Sequence, residues 1–310
     1  MPGPAGPDEI RDAYRRCRRV AAQYGRSYYL ATRLLSAGRR PAVHALYAFA
    51  RTVDDIVDNP DTRSTAATLD ALDAVETRLT AIWSPIPPPA TSALPAEFGP
   101  VLLALTDTVR RFEIEERHFT TFLHSMRMDV PGSPRFRSRY PSMAALNEYM
   151  RGSAAAIGLQ LLPVLGTVVP RADAEPAAAA LGNAFQLTNF LRDIGEDLDR
   201  DRIYLPADAL AAFGVDEKLL RHCRTTGRTE SSVRRALAHL VAVNRDLYRV
   251  AAPGVDLLTP RVRPAIRAAA RLYGAILDRI EEDEYAVFAR RAVVPNHRRL
   301  RLAAGAAIAG

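Results

Sequence analysis

The chain has little that would cross-link it, anchor it or build it from strands. Two cysteines, Cys17 and Cys223, occur in 310 residues, with no CxxC spacing. That excludes a disulfide scaffold or zinc ribbon and fits a reducing, cytoplasmic setting. No stretch approaches the roughly 20 apolar residues of a membrane-spanning helix, and the apolar tail 302–310 is too short to cross. The N-terminus, MPGPAGPDEI, lacks the apolar core of a secretory signal. The chain is therefore expected to be soluble or, at most, peripheral to a membrane. β-Branched runs are short, glycine is modest at 17 residues, and alanine is abundant. This composition favours helix and argues against an extensive sheet.

What is present is positive charge and helical periodicity. The net charge is +7, which suits a nucleic acid, a membrane surface or an anionic substrate. Arginine is spread along the chain, and no basic run carries interleaved aromatics, which argues most against nucleic acid. Most of the charge reads as a solvated, arginine-rich surface. Amphipathic helices are expected from Asp8 to about Gln23, Arg40 to Asp58, and after an N-cap at Ser64 to about Trp83. Further helices are expected at 100–112, 116–128, 142–168, 172–198, 207–213, 216–223, 231–251 and 259–285. Asn59-Pro60 stops the second helix. The Pro-rich run from Ser84 to Ser92 reads as a stiff surface loop. No internal repeat is present, so one all-α domain over 1–310 is expected, with loose ends at 1–7 and 303–310.

Two short acidic runs stand out. Asp54-Asp55-Ile56-Val57-Asp58 and Asp193-Ile194-Gly195-Glu196-Asp197 each place aspartates at i and i+4. On a helix the two carboxylates share one face, one turn apart. A lone pair of this kind is usually an acidic helix end facing water. Two pairs facing each other across a cavity would hold hard divalent cations, which would in turn grip a diphosphate. The first pair falls on a stripe with His44, Tyr47 and Arg51, near the helix C-terminus. There the helix dipole disfavours carboxylates by a few tenths to about 1 kcal/mol each. A metal site would offset that cost. The second pair shares a stripe with Gln186 and Asn189. Gly195 inside it costs about 1 kcal/mol of helix propensity, which suggests that something bulky approaches the backbone. Arg192, Arg200 and Arg202 lie close by in sequence, and guanidinium groups beside acidic ligands suit a diphosphate that touches both.

These residues carry a resemblance. Tyr47-Ala48-Phe49-Ala50-Arg51, followed by Asp54, Asp55 and Asp58, resembles the first aspartate-rich signature of the squalene/phytoene synthase family. Gln186-Leu187-Thr188-Asn189-Phe190-Leu191-Arg192-Asp193-Ile194-Gly195-Glu196-Asp197, followed by Arg202-Ile203-Tyr204-Leu205-Pro206, resembles the second. The likeness runs from about Tyr24 to Arg291 and is nearest to the bacterial phytoene-forming branch. It implies an isoprenoid-synthase-like helical bundle around a central apolar cavity. It implies Mg²⁺, or Mn²⁺ in its place, on Asp54, Asp58, Asp193 and Asp197. It implies allylic isoprenoid diphosphates as substrates, joined head to head without NADPH. Tyr47, Arg51, Tyr149, Arg192, Arg202 and Tyr273 would take catalytic roles. Ser27, Tyr28, Arg51, Gln186, Asn189, Arg192, Arg202, Tyr273 and Arg290 would bind substrate. Arg151 departs from the family pattern, which often has tyrosine there, and Ala155 stands where glycine is common. Small residues from Ala154 to Gly158 would either line the cavity or pack helices tightly. The alternative substrate is farnesyl diphosphate, giving a squalene, dehydrosqualene or presqualene diphosphate synthase. A prenyl chain elongating enzyme or terpene cyclase also uses acidic helices, but the Gln186–Asp197 string argues against it. A non-catalytic helical scaffold would be expected to lose acidic ligands, and all four are present.

Overall fold

The computed structural model describes residues 6–58, 63–84, 94–95 and 97–308. Asn59-Pro60 and most of the Pro-rich run lie outside the described residues. Within them the chain is helical, with isolated β-bridges in place of strands. The helices are α1 (Pro7–Tyr24), α2 (Arg26–Thr32), α3 (Arg40–Val57), α4 (Thr65–Trp83), α5 (Phe98–Phe112), α6 (Glu116–Arg127) and α7 (Met143–Met150). They continue with α8 (Ala156–Leu165), α9 (Arg171–Asp199), α10 (Ala207–Ala211), α11 (Glu217–Thr226), α12 (Ser231–Ala251), α13 (Arg263–Glu282) and α14 (Asn296–Ile308). Local chemistry sets many boundaries. Ser64, Ser142 and Asp216 cap α4, α7 and α11 with side-chain oxygens that accept from the backbone N–H three residues on. Gly166 and Gly227 end α8 and α11 at positive φ.

Two apolar cores lie on either side of the site. One joins α1, α3, α4, α5, α6 and α8, with Phe49 ringed by Phe98, Phe119 and Phe122 at centroid distances of 5.6–6.3 Å. The other joins α7, α9, α12 and α13 around Leu187, Leu191, Leu237, Leu240 and Leu277. The 29-residue α9 forms the spine and packs on α8, α12 and α13. The apolar space bounded by α2, α3, α8 and α13 is a narrow cavity of about 30 Å³, lined by Tyr28, Leu35, Val43, Leu161, Leu165 and Ala269 among others.

The fold departs from the sequence expectations in three places. First, α2 is a separate helix, because Gly25 lets Tyr47 press against the backbone; a Cβ there would lie 2.8 Å from the Tyr47 ring. Second, the helix expected over 142–168 is broken by a π turn at Arg151–Ala155. Third, α14 continues through the tail expected to be loose, with Ala303 and Ala306 buried against α13 and α2. Of the two readings open for the small residues around α8, the fold bears out tight helix packing at Gly158 and Ala154. A Cβ on Gly158 would sit 2.4 Å from the Ala178 carbonyl, and one on Gly182 would sit 2.5 Å from that of Ala154.

Candidate active site between two acidic helix ends

Both acidic pairs fall at helix C-termini, Asp54 and Asp58 on α3 and Asp193 and Asp197 on α9. Each end already carries the negative pole of its helix. On α3 the expected polar stripe divides. His44 is buried, stacks on Tyr29 at 5.3 Å, and pairs through Nε2 with Thr32 Oγ1 at 2.9 Å. It ties α2 to α3 and does not face the site. Tyr47 stacks on Tyr28 at 5.2 Å. Arg51 pairs with Asp55 and lies over the Tyr24 ring at 4.8 Å. Asp54 has no hydrogen bond or ion pair among the described residues. Burial, and then the charges of Asp58 and Asp129, push its carboxyl well above the usual range. Asp58 faces the guanidinium of Arg200, beyond the end of α9, at 4.0 Å. That contact shows the two acidic ends to be neighbours.

On α9, Asp193 is gripped by two arginines. Arg192 donates from Nε and Nη2 at 2.7 and 2.6 Å, and Arg291 donates from Nε and Nη2 at 2.7 and 2.9 Å. Asp197 has no such partner among the described residues. Burial and the neighbouring Asp193 push its carboxyl up to about 7, against the opposing charges of Arg200 and Arg202. Gln186 and Asn189 are half-buried one turn apart, with Asn189 Nδ2 3.5 Å from Gln186 Oε1. Tyr273 of α13 stacks on Phe185 at 4.3 Å. Its hydroxyl couples to Arg192 and Asp193 on one side and to Tyr28 and Tyr47 on the other. Burial raises all three tyrosine pKa values, so each keeps its proton at neutral pH. The bulky group behind Gly195 is internal. A Cβ there would meet the Val287 carbonyl at 3.0 Å and the Arg224 guanidinium at 3.1 Å.

The fold thus brings together Tyr28, Tyr47, Arg51, Asp54, Asp58, Gln186, Asn189, Arg192, Asp193, Asp197 and Tyr273. The side chain of Ser27 lies outside the described residues. Arg290 is a correction: it points outward to Asp283 at 2.7 Å, and its neighbour Arg291 reaches Asp193. Arg202 and Tyr149 are also placed differently from the sequence expectation. Both turn into a buried polar knot around Asp129, where Tyr149 donates at 2.6 Å and Arg202 at 2.5 Å. Arg151 is exposed. Asp129 and Arg291 are the site residues that sequence reasoning missed. Asp129 has no acidic partner a turn away, so nothing in its local sequence marks it.

Half-buried carboxylates without side-chain partners are an arrangement that a hard cation would complete. Asp54 and Asp197 fit that description, with Asp58 and Asp193 one turn from each. A second ligand-type group, Glu115, His118 and Glu175, has its ligand atoms within 4.8 Å of one another. Arg117 already bridges its two carboxylates at 2.7 and 2.9 Å.

A helical bundle with paired acidic helix ends beside tyrosines and arginines is the isoprenoid-synthase-like arrangement that the two aspartate-rich motifs implied. The family model described as squalene/phytoene synthase matches residues 21–298, and the chain belongs to that family. It is 36% identical to a phytoene synthase of Arthrospira platensis, over 93% of this chain and 90% of that protein. It is 34% identical to the chloroplastic phytoene synthase 2 of Solanum lycopersicum, over 97% of this chain and 91% of that protein. Among solved structures it is similar to a dehydrosqualene synthase. The TM-score is 0.82 at 27% identity, covering 97% of this chain and 98% of that one.

Proposed function

We propose that this protein is a phytoene synthase. It joins two geranylgeranyl diphosphates 1′–1 through a cyclopropylcarbinyl diphosphate and releases both diphosphates. The pairing of Asp54 and Asp58 with Asp193 and Asp197 across one site, beside arginines that neutralise a polyanion, carries this reading. Identity to phytoene synthases over nearly the whole chain supports the C20 substrate.

Asp54, Asp58, Asp193 and Asp197 would hold Mg²⁺, or Mn²⁺, directly or through water. Bound there, the ions supply Lewis-acid stabilisation of charge on a departing diphosphate. Arg51, Arg192 and Arg291 each leave a carboxylate to meet the incoming anion. Tyr28, Tyr47 and Tyr273 hold their protons and can donate to diphosphate oxygens. Loss of the first diphosphate leaves an allylic cation, which the C2=C3 bond of the second chain attacks. A proton lost from that chain closes the cyclopropane. A second ionisation, ring rearrangement and loss of a proton give the C40 triene. The released diphosphate is the base within reach. The cation must be kept from water, and the apolar walls of α2, α3, α8 and α13 do this. The narrow cavity between them must widen to admit a C20 chain.

The test is incubation with geranylgeranyl diphosphate and Mg²⁺, without NADPH, with products read by absorbance and mass. Phytoene is expected. A C30 product from farnesyl diphosphate, with none from the C20 substrate, would overturn the substrate assignment and keep the chemistry. No helix among the described residues is long and apolar enough to cross a membrane. A C40 hydrocarbon is insoluble in water, and its release calls for a peripheral contact with a bilayer.

A further inference from the structure

We propose that Asp129 is a positioning residue for this site. It holds the Arg202 guanidinium off Asp197 and so leaves that carboxylate free for a divalent cation. The proposal rests on reading Asp197 as a cation ligand. Asp129 lies just after α6 and is 4% exposed. Its Oδ1 accepts from Arg202 Nη1 at 2.5 Å and from the Tyr204 hydroxyl at 3.3 Å. Its Oδ2 accepts from the Tyr149 hydroxyl at 2.6 Å, and its backbone carbonyl accepts from Arg202 Nη2 at 2.8 Å. Arg202 Nη1 also donates to the Tyr204 hydroxyl at 2.8 Å. Aromatic rings close over the knot, with Phe190 on Tyr204 at 4.2 Å and Tyr149 on Tyr204 at 5.7 Å. Arg202 is thus held by two atoms of Asp129 inside a dry wall.

What Arg202 does not touch is as informative. It lines the same slit as Asp197 and is close enough to favour that carboxylate's charge. No ion pair within 4.0 Å joins them among the described residues. Other arginines in this site behave differently. Arg192 and Arg291 both close on Asp193, and Arg51 closes on Asp55. Arg200, which also favours the Asp197 charge, turns to Asp58 at 4.0 Å, and Arg202 is kept from Asp197 by a stronger partner. A buried carboxylate with further hydrogen bonds from two tyrosines is such a partner. Without the Asp129 charge, Arg202 carries an unpaired buried charge, and Asp197 is the anion within reach. The pair that then forms competes with a metal for Asp197.

Mn²⁺ binding to the full-length protein, read by loss of the free-ion electron paramagnetic resonance signal, tests this without substrate. Asp129→Asn keeps the side-chain shape and one acceptor oxygen and removes the charge. It is expected to weaken Mn²⁺ binding by about tenfold. Asp129→Asn/Arg202→Met removes the competing cation as well and is expected to restore binding to within about twofold of wild type. A merely structural role for Asp129 would leave the double variant as weak as the single one, and that result overturns the proposal. So does wild-type binding by Asp129→Asn. If Asp129→Asn fails to fold, the double variant decides alone, because both buried charges are gone: wild-type-like binding supports the proposal and a tenfold loss sinks it. Wild-type protein that binds no Mn²⁺ would instead remove the cation reading of the whole site.

Discussion

At Asp197 protonation, metal binding and stability meet. Its folded carboxyl titrates near 7, above the usual carboxylate value. A raised carboxyl pKa means the folded state prefers the protonated form. Without metal, Asp197 therefore costs no stability below the unfolded pKa of about 4. The cost grows as pH rises from there to about 7 and is then constant. In chelator at pH 8, Asp197→Asn is expected to melt at least about 2 °C above wild type, and at pH 4 the difference should vanish. Saturating Mg²⁺ should reverse the order at pH 8, because only the carboxylate gains from the ion. Differential scanning calorimetry at the two pH values checks the sign. The same scale separates two adjacent arginines. Arg291→Met should cost about tenfold more in kcat/KM than Arg290→Met, because Arg291 alone reaches Asp193. Steady-state kinetics on the two variants decides it.

Among the elements, α8 and α9 are positioned by glycines that admit backbone carbonyls where side chains would normally sit. Gly158 lies under the Ala178 carbonyl, and Gly182 under that of Ala154. Gly158→Ala would force the helices apart and should cost about 1–3 kcal/mol. That corresponds to roughly 2–4 °C in Tm per kcal/mol. Product yield should fall further than stability explains, because α9 carries Asp193 and Asp197. An unshifted melting temperature would contradict the close contact. The π turn at Arg151–Ala155 works in the same region. It leaves the Tyr149 carbonyl to accept from Ser125 Oγ at 2.8 Å and Ser153 Oγ at 3.2 Å. Tyr149 can then aim its hydroxyl at Asp129 while α8 keeps its register against α9.

At the scale of the molecule, the site exists only because two separate cores present their helix ends to one another. Losing either acidic end should therefore be as damaging as losing the other. Asp54→Ala and Asp193→Ala are each expected to lower kcat by about 10²-fold or more, with the fold retained by circular dichroism. Chelation should abolish turnover of the wild type, and Mg²⁺ or Mn²⁺ should restore it. Activity that survives complete metal removal would refute the role assigned to the four aspartates.

The all-α class, most helix spans and both acidic pairs were legible from the chain, because each depends on local spacing. Periodicity, caps and i,i+4 pairs are written within a few residues of one another. The family was legible too, since two long motifs occur in order. Arg290 and Arg202 pair away from the four aspartates, with Asp283 and Asp129, because the end of a long side chain goes to whichever partner packing leaves within reach. Asp129 and Arg291 were invisible for the same reason. Asp129 belongs to no motif, and its importance comes from Tyr149, Arg202 and Tyr204, which reach it from distant parts of the chain. The helices and the acids were therefore determined by sequence alone. Which charges pair, which carboxylates stay unpaired and which glycines bear a neighbouring backbone were decided by tertiary packing, because burial and competition between partners act only once the helices have met.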